Sequence, residues 1–445
     1  MLESDGILTA TQFGVLRYRK LVEWRCQAPD IPATSYARIT LSSTHCNVRI
    51  QGIAVKIVFL IRALTYGGAE RQLTVLSKGL CERGHDVVIA MFYAGGPLEK
   101  ELANTQVRVR SLKKRGRWDV FGFALRLIAA VRGERPDVIY GFLWDPNLLT
   151  IVLKPLFGKV KIVWGIRSSA RDLPKETWLE RLSIKLNCWL SRFPDAIIAN
   201  SQVGCDDYVS QGFPRKKMVV IPNGVDTETF HPDREARVRL RHEWGINEQD
   251  HVVGVVGRLN PVKDHPNFLK SAAALAQERK DIRFVCVGDG PAEYRRTLQA
   301  LADELGLKES LIWNTARQDM TAVYNALDVL VSSSDSEGLS NVIGEAMACG
   351  VPCVVTDVGD SAWVVGDTGE VVPSKDPVAL KNAVQRLLHQ TTYGPAQIRN
   401  AIIDRLSVSK LITNTERTLS DLVTHPTNGK PGGCASQRHP TPDFR

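Results

Sequence analysis

Two glutamates, Glu337 and Glu345, stand eight positions apart in the stretch DSEGLSNVIGEAMACG. Paired carboxylates are the usual equipment of acid–base chemistry. They are also good acceptors for the hydroxyls of a bound sugar. The residues around them suggest a loop followed by a helix: Ser340 or Asn341 can cap it, Gly350 can end it, and Pro352 prevents continuation. Glu337 then lies in the loop and Glu345 within the first two helical turns, so both could reach one ligand from two sides. The helix dipole alone would account for a glutamate near a helix start, but not for the whole array.

Two cations form a second group. In GRLNPVK, Arg258 stands at the end of an apolar run and Lys263 five residues on, before the next helical stretch. An arginine fork clamps phosphate oxygens and a lysine adds a point charge. Such a pair would neutralise a departing diphosphate in a transition state; two exposed loop cations are the plainer reading. A third feature is Gly67-Gly68 in TYGGAE, between an apolar run and a helical pattern. Glycines let the backbone approach a phosphate, and a helix start presents free N–H groups. This is not the G-x-G-x-x-G dinucleotide fingerprint, and a simple strand-to-helix turn would look the same.

Strands alternating with helices must position these residues. VKIVFLI, DVVIAMFY, PDVIYGF, KIVWGI and DAIIANS read as buried parallel strands. After the Pro/Gly/Asn-rich hinge IPNGVDTETFHP the series restarts with HVVGVVGRL, IRFVCVGDG, SLIWNT, LDVLVSSS and VPCVVTD. The expected class is α/β: two doubly wound, Rossmann-like domains facing each other across a cleft, with ligand at the strand C-termini. The boundaries expected are an extension of uncertain order over 1–54, an N-terminal domain over 55–222, a C-terminal domain over 223–395, a helical segment over 396–424 packing back on the N-terminal domain, and a disordered tail over 425–445.

Bulk properties narrow the function. The nine cysteines include no CxxC, and the nine histidines no HxxxH, so no structural metal is expected and free thiols in a reducing compartment are. Neither a signal peptide nor an 18-residue apolar run is seen, which fits a cytoplasmic protein. The net charge of +9 is uneven: +2 over 1–54, +12 over 55–222 and −5 over 223–445. A basic half suits a solvated face, an anionic membrane surface or a phosphate-bearing partner. Nucleic acid is not expected, because the basic residues match no nucleic-acid-binding motif.

The motifs taken together resemble glycosyltransferase family 4, whose fold is GT-B. The resemblance runs from about Val55 to Val423 and rests on TYGGAERQL, IPNGVDTETF, GRLNPVKDH, VGDGP and SEGLSNVIGEAMACGVPCVVTDVGD, which carries the family's E-x7-E pattern. It implies that Arg258 and Lys263 bind the donor diphosphate, that Glu345 bonds the ribose hydroxyls, and that Glu337 faces the donor sugar. Backbone groups of Gly338, Leu339, Ser340 and Asn341 would contact sugar or phosphate, and Gly67 and Gly68 would approach the phosphates. Arg317, in WNTARQD, falls near the nucleobase loop, and Arg167, in GIRSSARDL, on the acceptor side. Relatives often carry a histidine in the loop after the PDVIY-like strand; Asp145 stands near that place and is a candidate catalytic residue.

The implied activity is retaining transfer of a sugar from a nucleotide diphosphate sugar, UDP favoured and GDP possible, to a hydroxyl of a glycan or a polyprenyl-diphosphate-linked saccharide, in polysaccharide biosynthesis. The resemblance implies no required metal and no cofactor beyond the donor. The charge suggests peripheral contact with the inner face of the cytoplasmic membrane. The alternatives are a catalytically weakened GT-B protein acting as a sugar-nucleotide binder or a partner subunit, and a nucleotide-sugar 2-epimerase, which E-x7-E with GRLxxxK argues against.

Overall fold

The computed structural model describes residues 54–116, 118–167, 178–389 and 392–424. The expected extension, all but its last residue, and the expected tail lie outside the described residues, as does SSARDL after Arg167. The described chain forms two α/β lobes. In the N-terminal lobe, β1 (Lys56–Ile61), β2 (Asp86–Met91), β3 (Arg108–Ser111), β4 (Val138–Phe142), β5 (Lys161–Ile166), β6 (Ala196–Ala199) and β7 (Met218–Val220) make one sheet in the order β3-β2-β1-β4-β5-β6-β7. In the C-terminal lobe, β8 (His251–Val256), β9 (Ile282–Val287), β10 (Leu311–Asn314), β11 (Val329–Ser332), β12 (Cys353–Thr356) and β13 (Glu370–Val372) are ordered β10-β9-β8-β11-β12-β13. All pairings are parallel.

Parallel strands need crossover helices, and these cover both faces, so the strand sequences are near-continuous apolar runs. The relevant helices are α1 (Gly68–Glu82), α2 (Val120–Glu134), α3 (Trp144–Val152), α4 (Trp178–Leu190), α5 (Gln202–Ser210), α6 (His265–Glu278), α7 (Met320–Ala326), α8 (Asn341–Ala348), α9 (Pro395–Leu406) and α10 (Val408–Thr424). One face of the N-terminal sheet packs against Leu73, Leu76 and Leu80 of α1 and Leu411, Ile412 and Leu419 of α10. The other packs against α2, α3 and α4. Three strands do not emerge from an apolar-run reading. β3 is a mostly exposed edge strand, RVRS, with arginines at alternate positions; β7 and β13 are edge strands of three residues each. Short, charged edges are how sheets avoid further pairing.

The chain crosses between lobes twice, after β7 and after α9. The two crossings lie side by side: Val225 bridges Ser407 in parallel, and Val225 N–H donates to Leu406 O at 2.6 Å. The segment expected over 396–424 therefore divides at Ser407. Ile398, Ile402 and Leu406 of α9 join the C-terminal core, and only α10 returns to the N-terminal lobe. Arg83 donates to Glu416 at 2.5 Å and to Thr413 Oγ1 at 2.8 Å, and His85 Nε2 lies 3.1 Å from Glu416. Burial alone would raise the Glu416 carboxyl, but Arg83 and His85 hold it below the usual range.

The seat of α10 depends on a glycine. A Cβ on Gly79, within α1, would lie 2.0 Å from Ile412 Cδ1. Gly79→Ala should therefore destabilise the protein by about 1–3 kcal/mol in urea unfolding, although alanine is the better helix former by about 1 kcal/mol. A neutral or stabilising result would mean that the Ile412 side chain turns aside or that α10 does not pack on α1 in this register.

Candidate functional site

Each sheet has one point where strand order reverses, between β1 and β4 and between β8 and β11. Ligands of open parallel sheets bind outside the strand C-termini at such points. The candidate residues fall on the four loops there: Gly67 and Gly68 after β1, Asp145 after β4, Arg258 and Lys263 after β8, and Glu337 after β11.

In the C-terminal lobe the third and fourth loops touch. Lys263 Nζ donates to Glu337 Oε1 in an ion pair, and Ser334 Oγ donates to the same oxygen at 2.7 Å. Asn260 Oδ1 accepts from Val262 N–H at 3.0 Å and shapes the single turn that presents Lys263. Ser333 Oγ, donating to Lys263 O at 3.0 Å, ties that turn to the Glu337 loop. Gly359 braces the loop from behind: its φ is +57°, and a Cβ there would sit 2.4 Å from Glu337 O. Arg258 is exposed, and among the described residues no hydrogen bond or ion pair engages its guanidinium.

The glutamate in the helix has a different setting. Ser340 occupies the cap position of α8 without a side-chain bond to the helix, Asn341 is the first helical residue, and Glu345 is the fifth. Tyr324 Oη, on α7, donates to Glu345 Oε2 at 2.6 Å. Burial raises the Glu345 carboxyl, while the tyrosine bond and the positive charge of Arg71 oppose the shift. Arg71 belongs to α1 of the other lobe, so its field reaches Glu345 across the cleft. Burial, reinforced by the neighbouring Glu345 charge, raises the Tyr324 phenol well above its ordinary value and keeps it a donor.

The two lobes meet at the helix starts. Gly67 is the cap residue of α1, without a side chain to satisfy the first turn, and a Cβ on Gly68 would lie 3.1 Å from Asn341 Nδ2. Asn341 Oδ1 accepts from Asn223 Nδ2 at 2.8 Å, and Asn223 Oδ1 accepts from Arg167 Nη1 at 3.0 Å. Arg167 also donates to Tyr140 Oη at 3.2 Å and lies 4.6 Å over the Phe142 ring. Gln72 of α1 closes both backbone groups of Gly224, at 2.8 and 2.9 Å. At the opposite rim, Gln318 Nε2 donates to Tyr66 Oη at 3.4 Å.

These placements sharpen three of the sequence expectations. Arg167 reaches the hinge asparagine as well as the N-terminal lobe, so its guanidinium orders the junction. Arg317 is engaged elsewhere: Glu243 and Asp319 accept its hydrogen bonds at 2.6–3.3 Å and raise its pKa, which leaves the loop backbone rather than the guanidinium for a ligand. Asp145 is more than half exposed and lies 3.3 Å from Arg62, at the start of α3.

Sequence reasoning left Arg71, Tyr324 and Asp360 without roles and gave Asn223 only a place in the hinge. Asp360 is 5% exposed and follows the Glu337 loop, with its N–H donating to Gly338 O at 3.0 Å. Its carboxylate accepts from Gln202 N–H at 2.7 Å and Val203 N–H at 3.0 Å, at the start of α5 in the other lobe. Ser201 caps only Gly204 N–H, so the two remaining donors are satisfied across the lobes. The motif contained the signal, a charged side chain after Val358-Gly359, but its partner lies 158 residues away.

Asp360→Ala leaves those two N–H groups unpaired and should cost about 1–3 kcal/mol. It should also loosen the lobes, read as a larger radius of gyration in small-angle scattering; an unchanged radius and melting temperature would contradict this bridge. A second outcome concerns His265, buried beside Lys263, whose imidazole burial pushes down to about 4. The unfolded chain takes up this proton near pH 6.5 and the folded chain does not. Stability should therefore fall by about 3 kcal/mol as pH drops from about 6.5 to about 4. His265→Gln should flatten that part of the urea-unfolding profile.

The chain is similar to known proteins in sequence and in fold. Residues 66–229 match the model of Glycosyltransferase Family 4, and residues 250–390 that of Glycosyl transferases group 1. The D-inositol 3-phosphate glycosyltransferase of Mycobacterium sp. (strain JLS) is 34% identical over 216 residues, 47% of this chain and 48% of that protein. The GDP-mannose-dependent alpha-(1-6)-phosphatidylinositol monomannoside mannosyltransferase of Mycolicibacterium smegmatis is 34% identical over 186 residues, 39% of this chain and 48% of that protein. The chain thus spans about half the length of the curated relatives it matches. The solved structure of Anabaena HepE in complex with UDP and glucose has a TM-score of 0.73 at 22% identity, covering 83% of this chain and 100% of that one, a likeness of fold. With two parallel-sheet lobes and both family models matched in chain order, the chain belongs to the group 1, family 4 glycosyltransferases and has the GT-B fold.

Proposed function

We propose that the protein transfers a sugar, with retention at the anomeric carbon, from a nucleotide diphosphate sugar to a hydroxyl of a glycan or lipid-linked saccharide. The observation that carries this reading is the contact of Lys263 with Glu337, beside an unpaired Arg258, at the switch point of the C-terminal sheet. The pair brings an ammonium and a carboxylate to one point, which suits the junction between a donor's phosphate and its sugar. As the bond from C1 to the phosphate oxygen breaks, negative charge grows on the diphosphate and positive charge on the sugar ring. Lys263 and Arg258 stabilise the first, with the open helix starts at Gly67 and Ser340 adding N–H donors; Glu337 stabilises the second. The acceptor oxygen bonds C1 on the face the phosphate leaves, and its proton passes to a phosphate oxygen.

Glu345 serves as the ribose clamp. A half-buried carboxylate, whose pKa burial raises while Tyr324 and Arg71 oppose the shift, gains two hydroxyl donors when a nucleotide arrives. UDP is the proposed nucleotide. The HepE structure holds UDP, whereas the mannosyltransferase relative is named for GDP-mannose, and a thermal-shift series with UDP- and GDP-sugars discriminates between them.

Arg258→Ala and Lys263→Ala should each lower donor-dependent release of nucleoside diphosphate by about 10²–10³-fold. Full turnover in both would sink the site. Glu345→Gln should act mainly on donor KM, and wild-type donor affinity should decline as pH falls through the raised carboxyl pKa, a decline the glutamine variant should lack. Glu337→Ala should reduce kcat as well; equal kinetic signatures for the two glutamates would refute the division of labour.

A further inference from the structure

A hollow in the N-terminal lobe is lined by residues that the donor site does not use. It lies at the C-terminal ends of β4 and β5, between the start of α3 and the end of α5. Its walls are aromatic: Trp144 of α3, Trp164 of β5, Tyr208 of α5 and Phe213 after it. The last three are buried, and Trp144 alone of the four also meets solvent. Trp164 Nε1 donates to Thr150 Oγ1 at 3.1 Å, which leaves its ring as an apolar wall. The centroids of Trp144 and Tyr208 stand 6.0 Å apart, and those of Tyr208 and Phe213 5.0 Å.

Two polar atoms on lining residues are unspent. Asn147 is 4% exposed; its Nδ2 donates to Gly165 O at 3.1 Å, which fixes the amide, and its Oδ1 finds no partner among the described residues. A Cβ on Gly141 would lie 2.6 Å from that oxygen, so β4 keeps a glycine there. Arg167 gives Nη1 to Asn223 and Nη2 to Tyr140, while its buried Nε–H has no partner among the described residues. Buried polar groups in native proteins are nearly always paired. One unpaired acceptor and one unpaired donor on the same hollow therefore call for a group that brings a donor and an acceptor. Leu143, also on the hollow, adds a sign of use. Its φ is +73° with ψ at 178°, a backbone region that leucine rarely enters, and such strain gathers at functional sites. The two residues after it part company: Trp144 lines the hollow, and Asp145 lies 3.3 Å from Arg62.

Size decides between ligands. The hollow encloses about 280 Å³ outside atoms, yet only about 10 Å³ of it can seat the centre of a water molecule, close to what a single water needs. A whole sugar ring is too large for it, but one substituent of a ring is not. A hydroxyl would satisfy the two polar atoms and leave the aromatic walls bare. A carboxylate would set its charge against Asn147 Oδ1. An acetamido group has an N–H for Asn147, a carbonyl for the Arg167 Nε–H and a methyl for the aromatic walls.

We infer that this hollow holds the acetamido group of the acceptor, so that the acceptor sugar is an N-acetylated amino sugar. The inference rests on the transferase reading, whose acceptor it names by class.

The test is saturation-transfer NMR of the full chain with the methyl glycosides of N-acetylglucosamine, glucosamine and glucose. The N-acetyl compound should bind about tenfold more tightly than either of the others, the scale of one buried polar contact, with the strongest saturation on its acetyl methyl. Trp144→Ala and Asn147→Ala should erase this preference, and Trp144→Phe should keep most of it. The thermal shift that UDP gives should stay that of the wild type in the Trp144 variants. Equal binding of the three glycosides, strongest saturation on ring protons, or a preference that survives Trp144→Ala would overturn the inference. Release of nucleoside diphosphate from a donor, with no acetamido preference, would remove this subsite alone. An acetamido preference in a chain that releases none from any donor would remove the transferase reading and leave the subsite standing.

Discussion

The side-by-side crossing of the chain at Val225 and Ser407 is the constraint on which the cleft depends. Two separately folded sheets can share a ligand only if their loop edges stay opposed, and two adjacent crossings restrict the lobes to motion about one line. The backbone there is buried, so its polar groups must be paired. Gln72 meets both groups of Gly224, and Leu406 O takes the N–H of Val225. Gly224 is glycine because a Cβ would lie 2.8 Å from Val408 Cα, where α10 begins. The hinge thus joins α1, the C-terminal helices and the cleft in one packing problem.

From that hinge a polar chain runs into the site. Arg167 orders Asn223, Asn223 orders Asn341, and Asn341 stands at the start of α8 beside Gly68 of α1. Two helix starts without side-chain caps therefore face the same space, and their dipoles add to the field of Arg258 and Lys263. The negative groups are distributed with equal economy. Glu337 is held against Lys263, Glu345 against Tyr324, and Asp360 spans the lobes at the start of α5. Each carboxylate meets donors supplied by a different element, so the three do not compete for one partner.

The outer surface of the N-terminal lobe follows another logic. The face of α2 and α4 that meets the sheet is apolar because the sheet is. On the opposite side Trp118, Phe121 and Trp189 stand exposed, outside the core that fixes the helices. The basic excess of this lobe, set against the acidic C-terminal lobe, gives the two halves different electrostatic surroundings at one cleft.

Much of the architecture was legible in the sequence because parallel strands leave a strong local trace. Ten apolar runs read as strands are strands, and β3, β7 and β13 escaped notice because edge strands lack two-sided burial. The candidate loops were legible for the same reason: glycines, a proline-limited helix and isolated charges at strand ends are local features. Contacts are not local. That Lys263 would lie against Glu337, that Glu243 would join the neighbouring Asp319 in absorbing Arg317, and that Asp360 would cap a helix in the other lobe depend on partners 74, 74 and 158 residues away. The order of residue types determined the alternation of strands and helices, the family motifs and the loops where chemistry would lie. Only the tertiary structure decided which charges are spent on one another and which, like Arg258, stay open, because pairing is settled by distance after packing and not by spacing along the chain.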